Sequence, residues 1–320
     1  MSKATIRDVA AAAGVSISAV SYILNGSDKK KYSDSTVKTV RRAAEKLHYV
    51  PNRIARGMRS GKANAIGVIT SFETGGETFA PTMRALTRAA SQIGSSLVIP
   101  GGCENLTYTE AFHNHTVDGF VLFVSNTSEF NERAHIRALK ESGAPFVVLN
   151  GSLRFEGVPS VFYDYYAASQ AAVSHLLSLG RCRIAYMDSF DEDSAWELRN
   201  RREGYVDTIR EAGFLPRVYD LEHFSKEELL SADAVVTSSA RTARALIRNF
   251  LDAGLRVPQT LDVLAGNGED RPRDASLPLT AVDFPFEETA EFAIRTLSGL
   301  ASPTVFTPTP FVRDGKTVKK

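Results

Sequence analysis

With 320 residues, 43% of them hydrophobic and 23% charged, the chain is long enough for two or three domains with their own cores and is unlike a disordered or collagenous sequence. No apolar run reaches the roughly 18 residues of a membrane span, the opening Met1–Asp8 lacks the apolar stretch of a signal peptide, and two cysteines, Cys103 and Cys182, support neither a disulfide framework nor a zinc site. The net charge of +1 hides a division: residues 1–64 hold 13 Lys and Arg against 4 Asp and Glu, whereas the other 256 hold 25 against 33.

These bounds predict a cytoplasmic protein with no membrane partner and with buried or idle thiols. A basic head on an acidic body points to a polyanion as the partner of the head, because basic groups gain affinity by displacing the counterions around phosphates. The competing reading is a solvated basic surface.

In chain order, Thr5-Ile6-Arg7-Asp8 forms a capping box that starts a helix, and Ile6, Val9, Ala10 and Ala13 follow at the helical interval. Gly14 ends the run where a positive φ is cheap. Ser16 caps a second helix that reaches about Asn25-Gly26, and a third runs from Ser33. In that third helix Val37, Val40, Ala44 and Leu47 share one face, with Lys38, Arg41, Arg42 and Lys46 outside it.

Two short helices joined by a glycine turn read as a helix-turn-helix, whose second helix enters the major groove with its first residues at the base edges. Val20, Ile23 and Leu24 can be buried, which leaves Ile17, Ser18, Ser21 and Tyr22 outward. Ser18 can bond a base edge or phosphate, Ile17 can pack on a thymine methyl, and Tyr22 can reach base or backbone. The bland alternative is that Ile17 and Tyr22 pack against another domain.

The next segment, "YVPNRIARGMRSGKANAIGVI", breaks at Pro51-Asn52 and then offers two helical turns before Ser60-Gly61. So short a helix needs a surface to fold on. Arg53, Arg56 and Arg59 would meet phosphates, while Ile54, Ala55 and Met58 could pair with a second copy or wedge into the minor groove. A flexible linker is the alternative.

Residues 5 to 61 resemble the DNA-binding head of the lactose repressor and galactose repressor (LacI/GalR) family: "TIRDVAAAAGVSISAVSYILN" and "TVKTVRRAAEKLHYVPNRIARGM" fall in family order and spacing. The resemblance implies that Ile17, Ser18 and Tyr22 read bases, and that residues 52 to 59 form a hinge helix that folds in a dimer on the operator. Met58 stands where the family usually inserts a leucine at the central base step. The expected DNA-contacting set is Thr5, Ser16, Ile17, Ser18, Ser21, Tyr22, Asn25, Arg53, Ala55, Met58 and Arg59. The loop "GSDKKKYSD" is longer than in familiar members, and Lys29, Lys30 and Lys31 either add phosphate contacts or are solvated.

From residue 65 short apolar runs alternate with helical stretches. "AIGVIT", "SSLVIP", "DGFVLFV", "PFVVLN", "SVFYD", "RIAYM", "DAVVTS" and "LDVLA" read as strands, with helices near 79–92, 129–142, 164–179, 196–212 and 240–253. Gly94, Gly143, Gly180, Gly213 and Gly254 each follow a helix as its C-terminal cap. About nine strands in parallel sheets with crossover helices are expected, split into two lobes by the turn-rich stretch at 150–160.

The body resembles the same family more loosely, through "DGFVLF", "PFVVLN", "SVFYDYYAASQAAVSHLLSLGRCRIAYM" and "RREGYVDTIREAGF". That implies a two-lobed periplasmic-binding-protein-like (type I) body that dimerises and holds a small effector between lobes, commonly a sugar or nucleobase. Carried over by position, Phe79 would be an aromatic wall, Asn150 a polar contact after the fourth strand, and Arg201 the second-lobe arginine that grips the effector. Trp196 could stack on a sugar face. Ordinary core packing is the alternative for Phe79 and Trp196, and a surface salt bridge to Glu197 or Glu203 the alternative for Arg201. Ser239-Ala240 and Gly266-Asn267-Gly268-Glu269-Asp270 replace two familiar anchors for sugar hydroxyls, so the effector's identity is not inherited.

Catalytic readings are weak. His113-Asn114-His115 has no neighbouring ligand cluster, "GGCENL" and "GNGED" lack phosphate-loop spacing, and no nucleophile elbow occurs. No cofactor or metal is expected.

The resulting expectation is an α/β protein with an all-α head over 1–50, a hinge helix and linker over 51–64, and an effector-binding and dimerisation body over 65–320. Its first lobe would take about 65–160 and 285–312, and its second about 161–284. Function would be that of a homodimeric, nucleoid-associated transcription repressor that binds a pseudo-palindromic double-stranded operator. The rival class is a small-molecule binding protein or sugar-processing enzyme, from which only the basic head separates it.

Overall fold

The computed structural model describes residues 4–25, 32–49, 62–70, 78–101, 103, 105–124, 131–188, 196–268, 277–300 and 305–320. It divides into one unit over Met1–Ala63 and a second over Asn64–Lys320.

The first unit contains α1 (Ile6–Ala13), α2 (Ile17–Asn25) and α3 (Asp34–Lys46). Thr5 closes the capping box on α1: its backbone N–H and hydroxyl both donate to Asp8 Oδ2 at 2.8 Å, and the Asp8 N–H donates back to Thr5 Oγ1. Those hydrogen bonds, backbone first, hold the Asp8 carboxyl below its ordinary pKa. Gly14 sits at φ 65°, a conformation that carries no steric cost for glycine. The chain direction then turns by 102° into α2, within the range of a helix-turn-helix. Val9, Ala10, Val20, Ile23, Val40 and Ala44 bury one shared core, with Leu24, Val37 and Leu47 packed around it. Because so small a core has little to spare, Ile23→Ala is expected to cost the head about 2–4 kcal/mol, read as loss of helical signal at lower urea.

Among the described residues the second unit holds two six-stranded sheets. The first, in order β11-β5-β4-β3-β1-β2, uses β1 (Ala65–Ile69), β2 (Ser96–Val98), β3 (Phe120–Phe123), β4 (Phe146–Leu149), β5 (Ser160–Val161) and β11 (Val305–Phe306). The second, β12-β10-β9-β8-β6-β7, uses β6 (Ile184–Asp188), β7 (Val218–Asp220), β8 (Ala234–Thr237), β9 (Asp262–Ala265), β10 (Thr280–Asp283) and β12 (Phe311–Arg313). Among the described residues all pairings are parallel except β10 with β12. The connecting helices are α4 (Phe79–Gln92), α5 (Glu132–Ser142), α6 (Tyr165–Ser178), α7 (Trp196–Glu211), α8 (Ala240–Asp252) and α9 (Phe286–Leu297), besides short helical turns at 107–113 and 226–229.

Two expectations change here. The twelve strands among the described residues exceed nine because β7, β11 and β12 are two or three residues long and, like the four-residue β10, are not among the apolar runs that read as strands. The proposed first-lobe segment 285–312 also divides: α9 packs on α4 and β11 joins β5, but Phe311–Arg313 turns back antiparallel along β10 of the second sheet. An Arg313–Asp283 ion pair fixes that return, and Thr317 exchanges hydrogen bonds with Val263 at 2.7 and 2.6 Å, tying the C-terminal segment to the second lobe. The chain therefore passes between the sheets at 162–164, 284–285 and 307–310.

Helices α6 and α7 approach closely at Gly204, where an added Cβ would lie 2.4 Å from the Tyr166 carbonyl oxygen. Backbone cannot yield as a side chain does, so Gly204→Ala is expected to lower stability by about 1–3 kcal/mol, measured by urea denaturation.

Candidate nucleic-acid interface and interlobe cluster

In the head, Ser16 caps α2 by accepting the Ala19 N–H at 3.1 Å, and the first turn that follows buries Ala19 and Val20 while leaving Ile17 and Ser18 exposed. Ile17 and Tyr22 are 42% and 43% exposed, Ser18 is exposed and Ser21 half-exposed. Leaving two large apolar side chains in water is costly, so this face has the make-up of a contact surface. Lys38, Arg41, Arg42 and Lys46 are exposed on α3. Thr5 is exposed, with its hydroxyl engaged by Asp8. Asn25 closes α2, and its side chain lies outside the described residues. So do Arg53, Ala55, Met58 and Arg59 with the expected hinge helix 52–59, and Lys29–Lys31.

In the body, three of the four positions expected to contact an effector meet at one aromatic ring. Asn150 follows β4 in a left-handed conformation, φ 59°, and is buried. Its Nδ2 donates to the Val124 carbonyl at 3.0 Å and to Glu197 Oε1 at 2.9 Å, and its Oδ1 accepts the Tyr165 hydroxyl at 2.7 Å. The Arg201 guanidinium lies 4.5 Å from the centre of the Tyr165 ring, and Trp196 meets the same ring edge-on at 5.4 Å. Arg201 is 2% exposed and donates to the Gly266 carbonyl, so the surface salt bridge is replaced by a buried cation over an aromatic face. Burial pushes the Tyr165 hydroxyl well above its ordinary pKa, and the Glu197 carboxylate adds to the rise while Arg201 opposes it.

Phe79 opens α4 and packs edge-to-face on Phe123 at 5.2 Å; like Trp196 it is partly buried against the large core that takes in Tyr163 and Tyr165. Sequence reasoning missed Tyr165 as the hub. Its signal was positional: it begins a helix just beyond a strand's carboxyl end, where ligands of such sheets sit. The departures from family pattern serve as caps, for Ser239 Oγ accepts the Thr242 N–H at 3.0 Å and Asn267 Oδ1 accepts the Ala240 N–H at 3.1 Å. Glu269 and Asp270 lie outside the described residues.

Elsewhere, Cys103 is half-buried and Cys182 exposed, neither in a disulfide. His113 and His115 are exposed, and among the described residues no three potential metal ligands converge. No single helix among them is long and apolar enough to cross a membrane. A buried pair stands apart from both sites: Tyr108 OH and His135 Nδ1 lie 3.1 Å apart, and burial lowers the His135 pKa to about 4. A histidine held neutral when folded but charged when unfolded contributes stability that is lost as pH falls from about 6.5 towards 4. Urea midpoints at pH 7.5 and 5 are expected to show that loss in the wild type and a smaller one in His135→Gln.

Comparison with known proteins agrees with both halves. Residues 5–52 match the family of bacterial regulatory proteins of the lacI type, and residues 173–312 match a periplasmic binding protein-like domain. Catabolite control protein A of Priestia megaterium is 28% identical over 314 residues, covering 92% of this chain and 91% of that one. Maltose regulon regulatory protein MalI of Escherichia coli K12 is 30% identical over 251 residues, covering 77% and 69%. The lac repressor dimer, solved bound to operator and the anti-inducer ONPF, shares the fold with a TM-score of 0.67 at 21% identity, over 99% of each chain. A helix-turn-helix head on a two-lobed body, matched along nearly its whole length by such proteins, places this chain in the lacI family of DNA-binding transcription regulators, which are not enzymes.

Proposed function

We propose that the chain acts in the cytoplasm as a homodimeric repressor of a pseudo-palindromic operator, tuned by a sugar or related metabolite held between its lobes. The observation that carries this reading is the outward face of α2, where Ile17, Ser18 and Tyr22 are exposed together on a capped, well-packed helix in the basic part of the chain. Two such helices, one from each copy, reach half-sites about one helical turn apart, which is why a two-fold operator fits a dimer. Arg53 and Arg59 would meet phosphates between them, Ala55 would pack against the second copy, and Met58 would wedge into a bent central step. Thr5, Ser16, Ser21 and Asn25 would fix the register on the backbone.

In the body, Phe79, Asn150, Trp196 and Arg201 would contact the effector. Closure of the lobes on it would change how often the two hinge segments order together on DNA, a coupling of two sites through one equilibrium.

Gel shifts on a duplex selected by the wild type test the reading. Ser18→Ala is expected to relax preference at one base position by about 1 kcal/mol or more. Met58→Gly is expected to weaken the complex about tenfold or more without altering preference. An unaltered preference in the first and unaltered affinity in the second would remove the proposed roles.

A further inference from the structure

The interlobe cluster contains a group the effector reading does not use. Glu197, one helical turn before Arg201 on α7, reaches across to the first lobe and accepts from Asn150 Nδ2 at 2.9 Å. Both N–H groups of that amide are thereby engaged, one by Val124 and one by Glu197, and the Tyr165 hydroxyl on Oδ1 fixes which way the amide faces. Asn150 therefore has no donor for a ligand oxygen unless Glu197 lets go. Arg201, on the same helix, is stacked on Tyr165, donates to the Gly266 carbonyl and is 2% exposed. Glu197 itself is only half-buried, so a ligand can reach it.

We propose that Glu197 sets the ligand class of this cluster: its carboxylate bridges the lobes and yields only to a molecule that brings its own donor, an ammonium or hydroxyl-rich sugar, while rejecting sugar phosphates and uronates. The inference rests on the body being a ligand-binding unit, as proposed above. An incoming hydroxyl or ammonium replaces the Asn150 amide at the carboxylate and frees that amide for a ligand oxygen, so no buried polar group is left unpaired. An incoming phosphate or carboxylate meets Glu197 as a like charge and leaves the trade unmade. Selection arises from repulsion as well as attraction.

Calorimetry on the full-length chain, with glucosamine, glucose, glucose 6-phosphate and glucuronate as probes, tests this. The wild type is expected to bind glucosamine or glucose at least about tenfold more tightly than either anion, and Glu197→Gln, which keeps the shape and removes the charge, to shrink that ratio about tenfold. Glu197→Asp, which keeps the charge, is expected to retain the rejection of anions. Equal affinity of the wild type for anionic and neutral probes, an unchanged ratio in Glu197→Gln, or binding of none of the four probes overturns the proposal. Operator binding by the same preparations, which does not involve Glu197, shows separately whether the regulator reading stands.

Discussion

Raising the salt concentration from about 50 to about 200 mM is expected to weaken operator binding by the full-length chain about 10³-fold or more, because each neutralised phosphate releases condensed counterions. Lys38, Arg41, Arg42 and Lys46 stand exposed on α3, in the part of the sequence where 13 Lys and Arg face 4 Asp and Glu. Six phosphate contacts or more are what a fall of that size requires. Fluorescence anisotropy across a salt series gives the slope directly, and Arg42→Ala should reduce it by about one if that side chain meets a phosphate. A slope near zero would mean that the basic head does not bind a polyanion at all.

The second large effect concerns the body. Arg201→Ala is expected to lower its stability by about 3 kcal/mol, since it empties a site that is 2% exposed, strips the Gly266 carbonyl of its donor and uncovers the Tyr165 ring. Gly266 cannot move in to fill the gap, because a Cβ there would already lie 2.5 Å from the Thr237 carbonyl oxygen, so its backbone is wedged against β8. Arg201→Met keeps most of the volume and loses the hydrogen bond, and it should cost about 1–2 kcal/mol. Urea denaturation of the three proteins measures both. If Arg201→Ala proves as stable as the wild type, the guanidinium is not part of the packed core.

How far the sequence revealed these features depended on how local their causes are. The head was legible because each boundary is set by neighbours: Thr5 with Asp8, Gly14 at a positive φ, Ser16 and Ser33 as caps. Its core was legible too, since Val9, Val20 and Val40 fall at helical spacing. The destination of the last strand was not. Val305–Phe306 and Phe311–Arg313 are two short apolar segments close in sequence, and only pairing across the fold, with Asp283 waiting for Arg313, sends them to different sheets.

The interlobe cluster was legible in part for the same reason. Asn150 and Arg201 could be carried over by position and Trp196 singled out as a stacking surface, but their meeting at Tyr165 is a long-range event. Glu197 reads in sequence as the i,i+4 partner of Arg201 on one helix. In the fold it turns to Asn150 instead, from which it is 47 residues distant in the chain.

The most direct test is to let the purified full-length chain choose from a pool of random duplexes at low salt and then to repeat the selection with the Ile17→Ala/Ser18→Ala variant. Enrichment of a single two-fold symmetric site by the wild type, with that preference lost or changed in the variant while affinity for unselected DNA persists, is the predicted result. Failure of the wild type to enrich any sequence, or enrichment of the same site by the variant with the same strength, would show that the exposed face of α2 does not read DNA.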